Sequence, residues 1–175
     1  MANYKRIFID NHQYFFTVVC YQRNPILIDN IQLLKQSFKK TKQVFQFKIE
    51  AIIVLPDHFH MILNIKNSND YPKIISYIKR HFSKNCHPKY YNHLNQSLSR
   101  LKQNYFPVWQ KRFYEHMIRD ENDLKNKMDY IHYNPVKHGL VISAIEWKHS
   151  SFHKFIRLGY YESNWCDFDS KIDFE

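Results

Sequence analysis

The residues in this sequence best suited to catalysis form two pairs. One is a pair of histidines, and the other is a tyrosine with an asparagine. His58 and His60 lie two apart in the apolar run 58–65, HFHMILNI. Alternate side chains of a β-strand point to the same face, so a strand here would let both imidazoles share one divalent ion. Tyr130 and Asn134 are four residues apart, which places them on the same face of a helix, one turn from each other.

The two pairs suit a joint task, the attack of a tyrosine on a phosphate. If the amide oxygen of Asn134 completes a metal site begun by His58 and His60, the phenol of Tyr130 lies beside the ion, and a phosphate bound there is polarised for in-line attack. Each pair also has an ordinary structural explanation. With 11 histidines in the chain, a chance pair is easily found, and the tyrosine and asparagine could be a packed aromatic and a helix cap.

Hydrophobic periodicity indicates the elements that would position these side chains. It predicts strands at 12–21, 47–55, 58–65 and 112–118, and helices at 29–43, 71–85 and 121–133. Asp29 is a plausible N-cap of the first helix, and Pro56 and Asp57 have the composition of a tight turn between the second and third strands. Residues 86–107 are polar and lack a clear period, which predicts a loop.

Pro135 is expected to stop or kink the last helix, because it lacks a backbone donor and pushes the preceding residue away from helical geometry. Asn134, Pro135 and Gly139 could then be the cap, first residue and stop of one more short turn.

The order β-α-β-β-α-β predicts an α+β fold, a ferredoxin-like antiparallel sheet with helices on one face, plus a C-terminal helix that carries the tyrosine. A chain of 175 residues can bury one sizeable core. We therefore expect a single domain over 1–159, followed by an acidic tail at 160–175. The fold alone does not decide function, because the same architecture hosts RNA-binding modules, sensors and nucleases.

Charge is distributed unevenly along the chain. The formal net charge is +10, but residues 160–175 hold five acidic side chains and one lysine, a local −4 that leaves about +14 on the body. Such a body favours a polyanionic partner such as nucleic acid, although a lysine-rich composition can also reflect an AT-rich genome. The tail could compete with DNA for the basic surface, or its aromatic residues Tyr160, Tyr161, Trp165 and Phe168 could dock onto the core.

Two further expectations concern compartment and cysteine chemistry. The apolar runs are strand-length and the first ten residues lead into no apolar signal core, so we expect a cytoplasmic protein without a membrane segment. Cys20, Cys86 and Cys166 are widely spaced and in no CxxC pair, which argues against a disulfide framework or a zinc knuckle and predicts reduced, structural thiols.

Four blocks of sequence resemble those of REP-associated tyrosine transposases, relatives of the bacterial single-tyrosine insertion-sequence transposases of the HUH class. The blocks are LPDHFHMIL at 55–63, WQKRFYEHMIRD at 109–120, DYIHYNPVKHGLV at 129–141 and WKHSSFH at 147–153. The blocks occur in order, and the resemblance as a whole covers roughly residues 4–155. This combination is far more specific than any one motif.

The resemblance implies a role for each candidate residue. His58 and His60 match the paired histidine ligands, Asn134 the third polar ligand that other members supply as Gln, and Tyr130 the nucleophile. The implied enzyme uses Mg²⁺ or Mn²⁺ to cleave and rejoin single-stranded DNA beside REP-like hairpins, through a covalent 5′-phosphotyrosine. We expect it to work near the nucleoid. The sequence offers no obvious apolar interface stripe, which favours a monomer, with a dimer as the alternative.

Contacts to DNA are expected from basic and aromatic side chains. Lys5, Arg6, Arg112 and Lys137 could hold phosphates. Bases could stack on Tyr4, Phe8, Trp109 and Tyr133, although core packing is the better expectation for Trp109.

Two other functions use the same features. A non-catalytic domain that binds RNA or single strands would use the basic body and aromatic platforms without a reactive tyrosine, but the chain has only 2 glycines and lacks the Gly-flanked aromatic signature of RNA recognition motifs. A metal-dependent phosphoesterase would let water attack. Such sites usually add several carboxylates, and only Asp57 is close to the histidines in sequence.

Overall fold

The computed structural model describes residues 7–103 and 106–165. Four strands and five α-helices form in these ranges, in the order β1 His12–Val19, α1 Ile31–Lys42, β2 Phe47–Val54, β3 His58–Ile65, α2 Tyr71–Asn85, α3 Leu98–Lys102, β4 Tyr114–Met117, α4 Glu121–Lys137 and α5 Phe152–Arg157. Strand β3 and helix α2 have the predicted bounds, whereas β1 and β4 are shorter than predicted. No helix in the described ranges is long and apolar enough to cross a membrane.

The sheet has the strand order β2-β3-β1-β4, with every neighbouring pair antiparallel. This order follows from the connections. A tight turn at Pro56 and Asp57 joins β2 to β3, where the backbone amide of Leu55 donates to the carbonyl of His58 at 2.8 Å. Helices α1 and α2 make the longer crossovers that bring β1 to the centre, so the predicted ferredoxin-like topology is confirmed.

Each face of the sheet is covered by its own pair of helices. On one face, the apolar sides of α1 and α2 pack on alternate residues of β1 and β3, including Phe16 and Phe59. On the other face, α4 and α5 pack on the intervening residues, including Phe15 and Ile62. The helices predicted to cover one face of the sheet are therefore α1 and α2. The tyrosine-bearing helix α4 covers the opposite face.

Two predicted helix ends are wrong. Helix α1 begins after Asn30 rather than Asp29. Helix α4 does not stop at Tyr133 but runs through Pro135 to Lys137. Proline is tolerated because only its own hydrogen bond is lost, two residues from the end of the helix.

The end of α4 is instead set by Gly139, which has φ +65°. Its backbone amide donates to the carbonyl of Val136 at 2.9 Å, and the amide of Leu140 donates to that of Pro135 at 2.9 Å. This pair of bonds is a Schellman motif, for which glycine is favoured because it adopts positive φ without steric cost. Gly139 thus ends α4, and the separate short turn expected from Asn134 is part of the same helix.

The region predicted as a loop, 86–107, contains the short helix α3. Tyr91 and Cys86 from this region are buried against the α1–α2 core. Burial raises the pKa of the Cys20 thiol, and raises that of Cys86 to about 11. Neither is in a disulfide within the described ranges, which agrees with the structural role predicted for both. Cys166 lies outside the described residues.

The first residues of the predicted acidic tail pack against α4 and α5. The hydroxyl of Tyr161 donates to Oδ1 of Asp129 at 2.6 Å. The ring of Tyr161 lies 5.2 Å from that of Phe152 and 4.7 Å from that of Trp165, centroid to centroid. Residues 160–165 therefore dock onto the core. The remainder of the tail, 166–175, which includes Phe168, lies outside the described residues.

The contact between Tyr161 and Asp129 should contribute to stability. Tyr161→Phe keeps the ring but removes the hydrogen bond to a carboxylate, so we expect the free energy of unfolding in urea to fall by about 1 to 2 kcal/mol. Tyr160→Phe is the matched control, because the side chain of Tyr160 is 70% exposed and should tolerate loss of its hydroxyl. Equal stability of the two variants would contradict the docking of residues 160–165.

Candidate active site

The register of β3 fixes where the two histidines lie. His60 is opposite Thr17 of β1 and Ile53 of β2, and His58 is opposite Val19 at the end of β1. The pleat turns both imidazoles toward α4 and turns Phe59, between them, into the α1–α2 core. The two rings meet edge to face with their centroids 4.8 Å apart. The structure therefore brings His58 and His60 together on one face, as their spacing predicts.

One ring nitrogen of His60 is within hydrogen-bonding distance of Thr17, and the other has no partner among the described residues. Its Nδ1 is 2.8 Å from Oγ1 of Thr17, whereas its buried Nε2 has no hydrogen-bond partner among the described residues. A buried N–H without an acceptor is rarer in proteins than an unpaired acceptor, so the proton belongs on Nδ1, where it is donated to Thr17. Burial, followed by the nearby charge of His58, lowers the pKa of His60 well below its usual value. The ring is neutral, with a lone pair on Nε2.

His58 is oriented by the acidic residue that precedes it. Its Nδ1 lies 2.5 Å from Oδ1 of Asp57, and Nη1 of Arg23 is 3.3 Å from Oδ2 of the same carboxylate. Burial lowers the pKa of His58 and outweighs the opposing effect of Asp57. Burial alone would raise the pKa of Asp57, but its contacts with His58 and Arg23 lower it. His58 is thus a neutral imidazole that Asp57 orients through Nδ1.

Helix α4 brings Tyr130 and Asn134 to the same place. The ring of Tyr130 lies edge-on to that of His60, with centroids 5.1 Å apart, and also contacts Phe15 at 5.9 Å. Asn134 is fully buried. Its Nδ2 donates to the backbone carbonyl of Tyr130 at 3.3 Å, while its Oδ1 has no hydrogen-bond partner within the described part of the chain.

The predicted ligand residues fit a divalent ion in their chemistry. Among the described residues, two polar atoms buried near Tyr130, Nε2 of His60 and Oδ1 of Asn134, have no protein partner, which is costly unless something else binds them. Neutral imidazole and amide oxygen are ordinary ligands of divalent metals. No group of three or more His, Cys, Asp or Glu residues suited to a metal occurs in the described ranges. A site here would thus depend on the Asn134 amide.

Several residues around the histidines are not found by sequence reasoning. Thr17 and Phe15 face them only because β1 pairs with β3 in this register, which the sequence does not reveal. His138 was detectable in principle, because it follows Asn134 by one helical turn. Its ring lies 5.4 Å from that of His58. Arg23 has φ +55°, a left-handed conformation that is costly outside glycine.

The predicted DNA-binding residues are spread over the molecule. Lys137 is exposed on α4 with its Nζ 5.1 Å from the centroid of the Tyr130 ring, and Arg112 is exposed just before β4. Trp109 is buried and donates from Nε1 to the carbonyl of Lys79 at 3.1 Å, as the expectation of core packing required. Phe8 is 44% exposed and stacks on Tyr71. Lys5, Arg6 and Tyr4 lie outside the described residues.

Comparison with known proteins identifies relatives over the whole fold. The family model for IS200-like transposases matches residues 8–134. A Haemophilus influenzae protein named as a REP-associated tyrosine transposase is 38% identical over 94% of this chain and 93% of its own. The Escherichia coli REP-associated tyrosine transposase is 33% identical, over 95% and 92% of the two chains. A solved REP-associated tyrosine transposase bound to a REP hairpin superposes with a TM-score of 0.77 at 31% identity, over 98% of this chain and 96% of that one.

The hydrogen bond between Thr17 and His60 predicts an unusual tautomer. In the metal-free protein, nitrogen NMR of the imidazoles should show His60 protonated on Nδ1 rather than Nε2. Thr17→Val has nearly the same shape but cannot accept this proton, so we expect a larger share of the Nε2–H form. A wild-type protein with His60 protonated on Nε2 would contradict the assigned orientation of the ring.

Proposed function

We propose that this chain, which belongs to the IS200-like transposase family and within it resembles the REP-associated tyrosine transposases over nearly its full length, is a metal-dependent enzyme that nicks and rejoins single-stranded DNA. Tyr130 is its nucleophile, and His58, His60 and Asn134 are its metal ligands. The observation that carries the proposal is the placement of Tyr130 beside two buried polar atoms, on His60 and Asn134, that have no hydrogen-bond partner among the described residues.

This placement favours a catalytic site over the two alternative functions. A domain that only binds single strands needs exposed aromatic and basic side chains, and gains nothing from two unpaired polar atoms in its interior. In a phosphoesterase that uses water, Asp57 would be expected to join the metal ligands. Instead its carboxylate contacts His58 Nδ1 and Arg23, where it can orient a ligand but not replace one.

The reaction exchanges one phosphodiester for another. Oη of Tyr130 attacks phosphorus, the bond from phosphorus to the 3′ oxygen breaks, and a 5′-phosphotyrosine forms. The phenol loses a proton and the departing 3′ oxygen gains one. Because a phosphodiester is conserved, the free 3′ hydroxyl can attack the phosphotyrosine and join strands without ATP. The ammonium of Lys137, close to the Tyr130 ring, stabilises negative charge that develops during attack and can contact a DNA phosphate.

The metal is expected to be Mg²⁺ or Mn²⁺. When bound to His58, His60 and Asn134, it would offset the negative charge of the scissile phosphate. The protein contributes the fixed positions of these three side chains, two held by β3 and one by α4. Imidazole nitrogens favour transition ions over Mg²⁺, which prefers oxygen ligands. We therefore expect Mn²⁺ to bind more tightly than Mg²⁺.

The expected substrate is a single strand next to a hairpin. A relative with the same fold is bound to a REP hairpin, and the body of this chain carries a large positive charge suited to DNA. We expect a monomer, because residues 149–151 cover the outer edge of β2 at its C-terminal end. The amide of Val54 donates to the carbonyl of His149 at 2.9 Å, and that of Ser151 donates to Ile52 at 2.8 Å. A covered edge cannot pair with a second sheet.

Loss of the phenolic oxygen should abolish cleavage. Tyr130→Phe keeps the aromatic packing, so we expect no nicking of a labelled hairpin oligonucleotide, with folding and DNA affinity close to those of the wild type. Tyr133→Phe, on the same helix, is the matched control and should still nick. If Tyr130→Phe retains nicking activity, another residue is the nucleophile.

Metal binding should be measurable without activity. At about 100 times its Kd, Mn²⁺ should raise the melting temperature of the wild-type protein by roughly 5 to 10 °C, because only the folded state holds the ligands together. His60→Ala and Asn134→Ala should lose most of this shift. His93→Ala, a change at an exposed histidine outside the site, should keep it. A full shift in His60→Ala would place the metal elsewhere.

A further inference from the structure

A second candidate binding site lies on the opposite face of the sheet from Tyr130. It is a cavity of about 550 Å³ between α2 and the described residues 100–103 and 106–113. Four basic residues line it, namely Lys79, Arg80, Arg100 and Lys111, and none of the described residues that line it is acidic. Aromatic walls come from Phe106 and Trp109. The tyrosine chemistry uses none of these side chains.

Strand pairing places this cavity at the same end of the sheet as the histidines. The amide of Gln110 donates to the carbonyl of Val19 at 2.9 Å, and Val19 is the residue opposite His58. Trp109, in the cavity wall, packs edge to face on Phe59 at 5.9 Å between centroids. One sheet residue, Phe59, thus touches the cavity wall, while its two neighbours, His58 and His60, are proposed metal ligands.

The segment between Gln110 and β4 offers a short route between the two faces. Beyond Gln110 the chain passes through Lys111 and Arg112 before β4 begins at Tyr114. The side chain of Tyr114 is 53% exposed and lies 6.3 Å from Phe15, on the face of α4. A DNA strand leaving Tyr130 could therefore pass an exposed aromatic ring and two cations before it reaches the cavity.

The walls of the cavity are held in position by its basic residues. Nζ of Lys79 donates to the carbonyls of Gln110 at 2.7 Å and Lys111 at 3.2 Å. Arg100 donates to the carbonyls of Phe106 at 3.1 Å and Trp109 at 3.2 Å. Burial, and then repulsion from Arg100, lowers the pKa of Lys79 to about 8. An anion in the cavity would relieve this repulsion.

Phe106 supplies the surface on which a planar group could stack. Its side chain is 47% exposed, whereas Trp109 is buried and its indole N–H already donates to Lys79. Cations for phosphate beside an exposed aromatic ring for a base are the combination that single-stranded nucleic acids require. The volume is in the range of small-ligand sites and large enough for one nucleotide.

We propose that this cavity binds one unpaired nucleotide of the DNA strand that Tyr130 cleaves, with its base on the ring of Phe106 and its phosphate near Arg80 and Lys111. The proposal rests on the proposed function, because it takes the bound strand to be the substrate. It assigns to the cavity the task of fixing which phosphate reaches Tyr130.

The base contact is tested with 2-aminopurine placed at successive unpaired positions beside a hairpin. Tyr130→Phe serves as the background protein, so that binding is measured without cleavage. One position should show a distinct fluorescence change that is lost in Phe106→Ala, with affinity about tenfold lower. The ring centroid of Phe106 lies 6.3 Å from that of Tyr91. Phe106→Leu keeps an apolar side chain beside Tyr91 but removes the stacking surface, and should lose the signal too. Tyr160→Ala, the aromatic control, should keep it.

The phosphate contact is tested by salt dependence. Arg80→Ala should reduce the slope of log K against log salt by about 0.7, the value for one phosphate of a single strand. Arg157→Ala removes the same charge from α5, outside the cavity, and should leave the slope nearly unchanged. Free mononucleotide should compete only weakly if neighbouring phosphates of a strand are needed. Strong competition would identify a site for free nucleotides and contradict the proposal.

The cavity and the catalytic site can fail separately. If no position responds to the Phe106 variants, or if Arg80→Ala and Arg157→Ala change the slope equally, the cavity does not bind the strand, whether or not the unaltered protein nicks. If the unaltered protein does not nick although one position responds to Phe106, the cavity binds DNA and the proposed chemistry is wrong.

Discussion

The pleat of β3, buried on both faces, is the constraint on which the site depends. Phe59 inserts into the α1–α2 core against Phe38 and Trp109. Because alternate residues must point the other way, His58 and His60 face α4. A shift of one residue in the register would bury both imidazoles among the apolar side chains of α1 and α2. The packing that stabilises the fold therefore also fixes the orientation of the two histidines.

Helix α4 adds the second half of the site, and its course through Pro135 matters. If the helix had ended at Tyr133, Asn134 would have been a flexible cap. The Schellman motif at Gly139 instead keeps Asn134 in the helix interior, one turn from Tyr130, and continues the same surface to Lys137 and His138. Two rigid elements then meet across a buried interface, which is how reactive groups are held in a fixed geometry.

The sequence predicts those parts of the site that depend on short-range periodicity. Spacing by two on a strand and by four on a helix correctly places His58 with His60 and Tyr130 with Asn134. It does not predict Thr17, because that contact depends on the register between strands 43 residues apart. It also misjudges Pro135, because a local rule about proline takes no account of the favourable helix cap at Gly139, four residues later. The cavity at Lys79 and Phe106 is not predicted either, because it lies between a helix and a region whose sequence has no hydrophobic periodicity.

Two buried polar atoms of the site have no hydrogen-bond partner among the described residues, which lowers stability but suits the proposed function. Nε2 of His60 and Oδ1 of Asn134 would be better replaced by apolar groups if folding alone mattered. In the proposed function, both lone pairs serve as ligands of a divalent ion beside Tyr130, where the phosphate to be transferred would bind. Mass spectrometry of the protein after reaction with a hairpin oligonucleotide and Mn²⁺ tests this account most directly. It predicts one peptide with a 5′-phosphorylated nucleotide on Tyr130, and a nicked product without any adduct, or with the adduct on another residue, would contradict it.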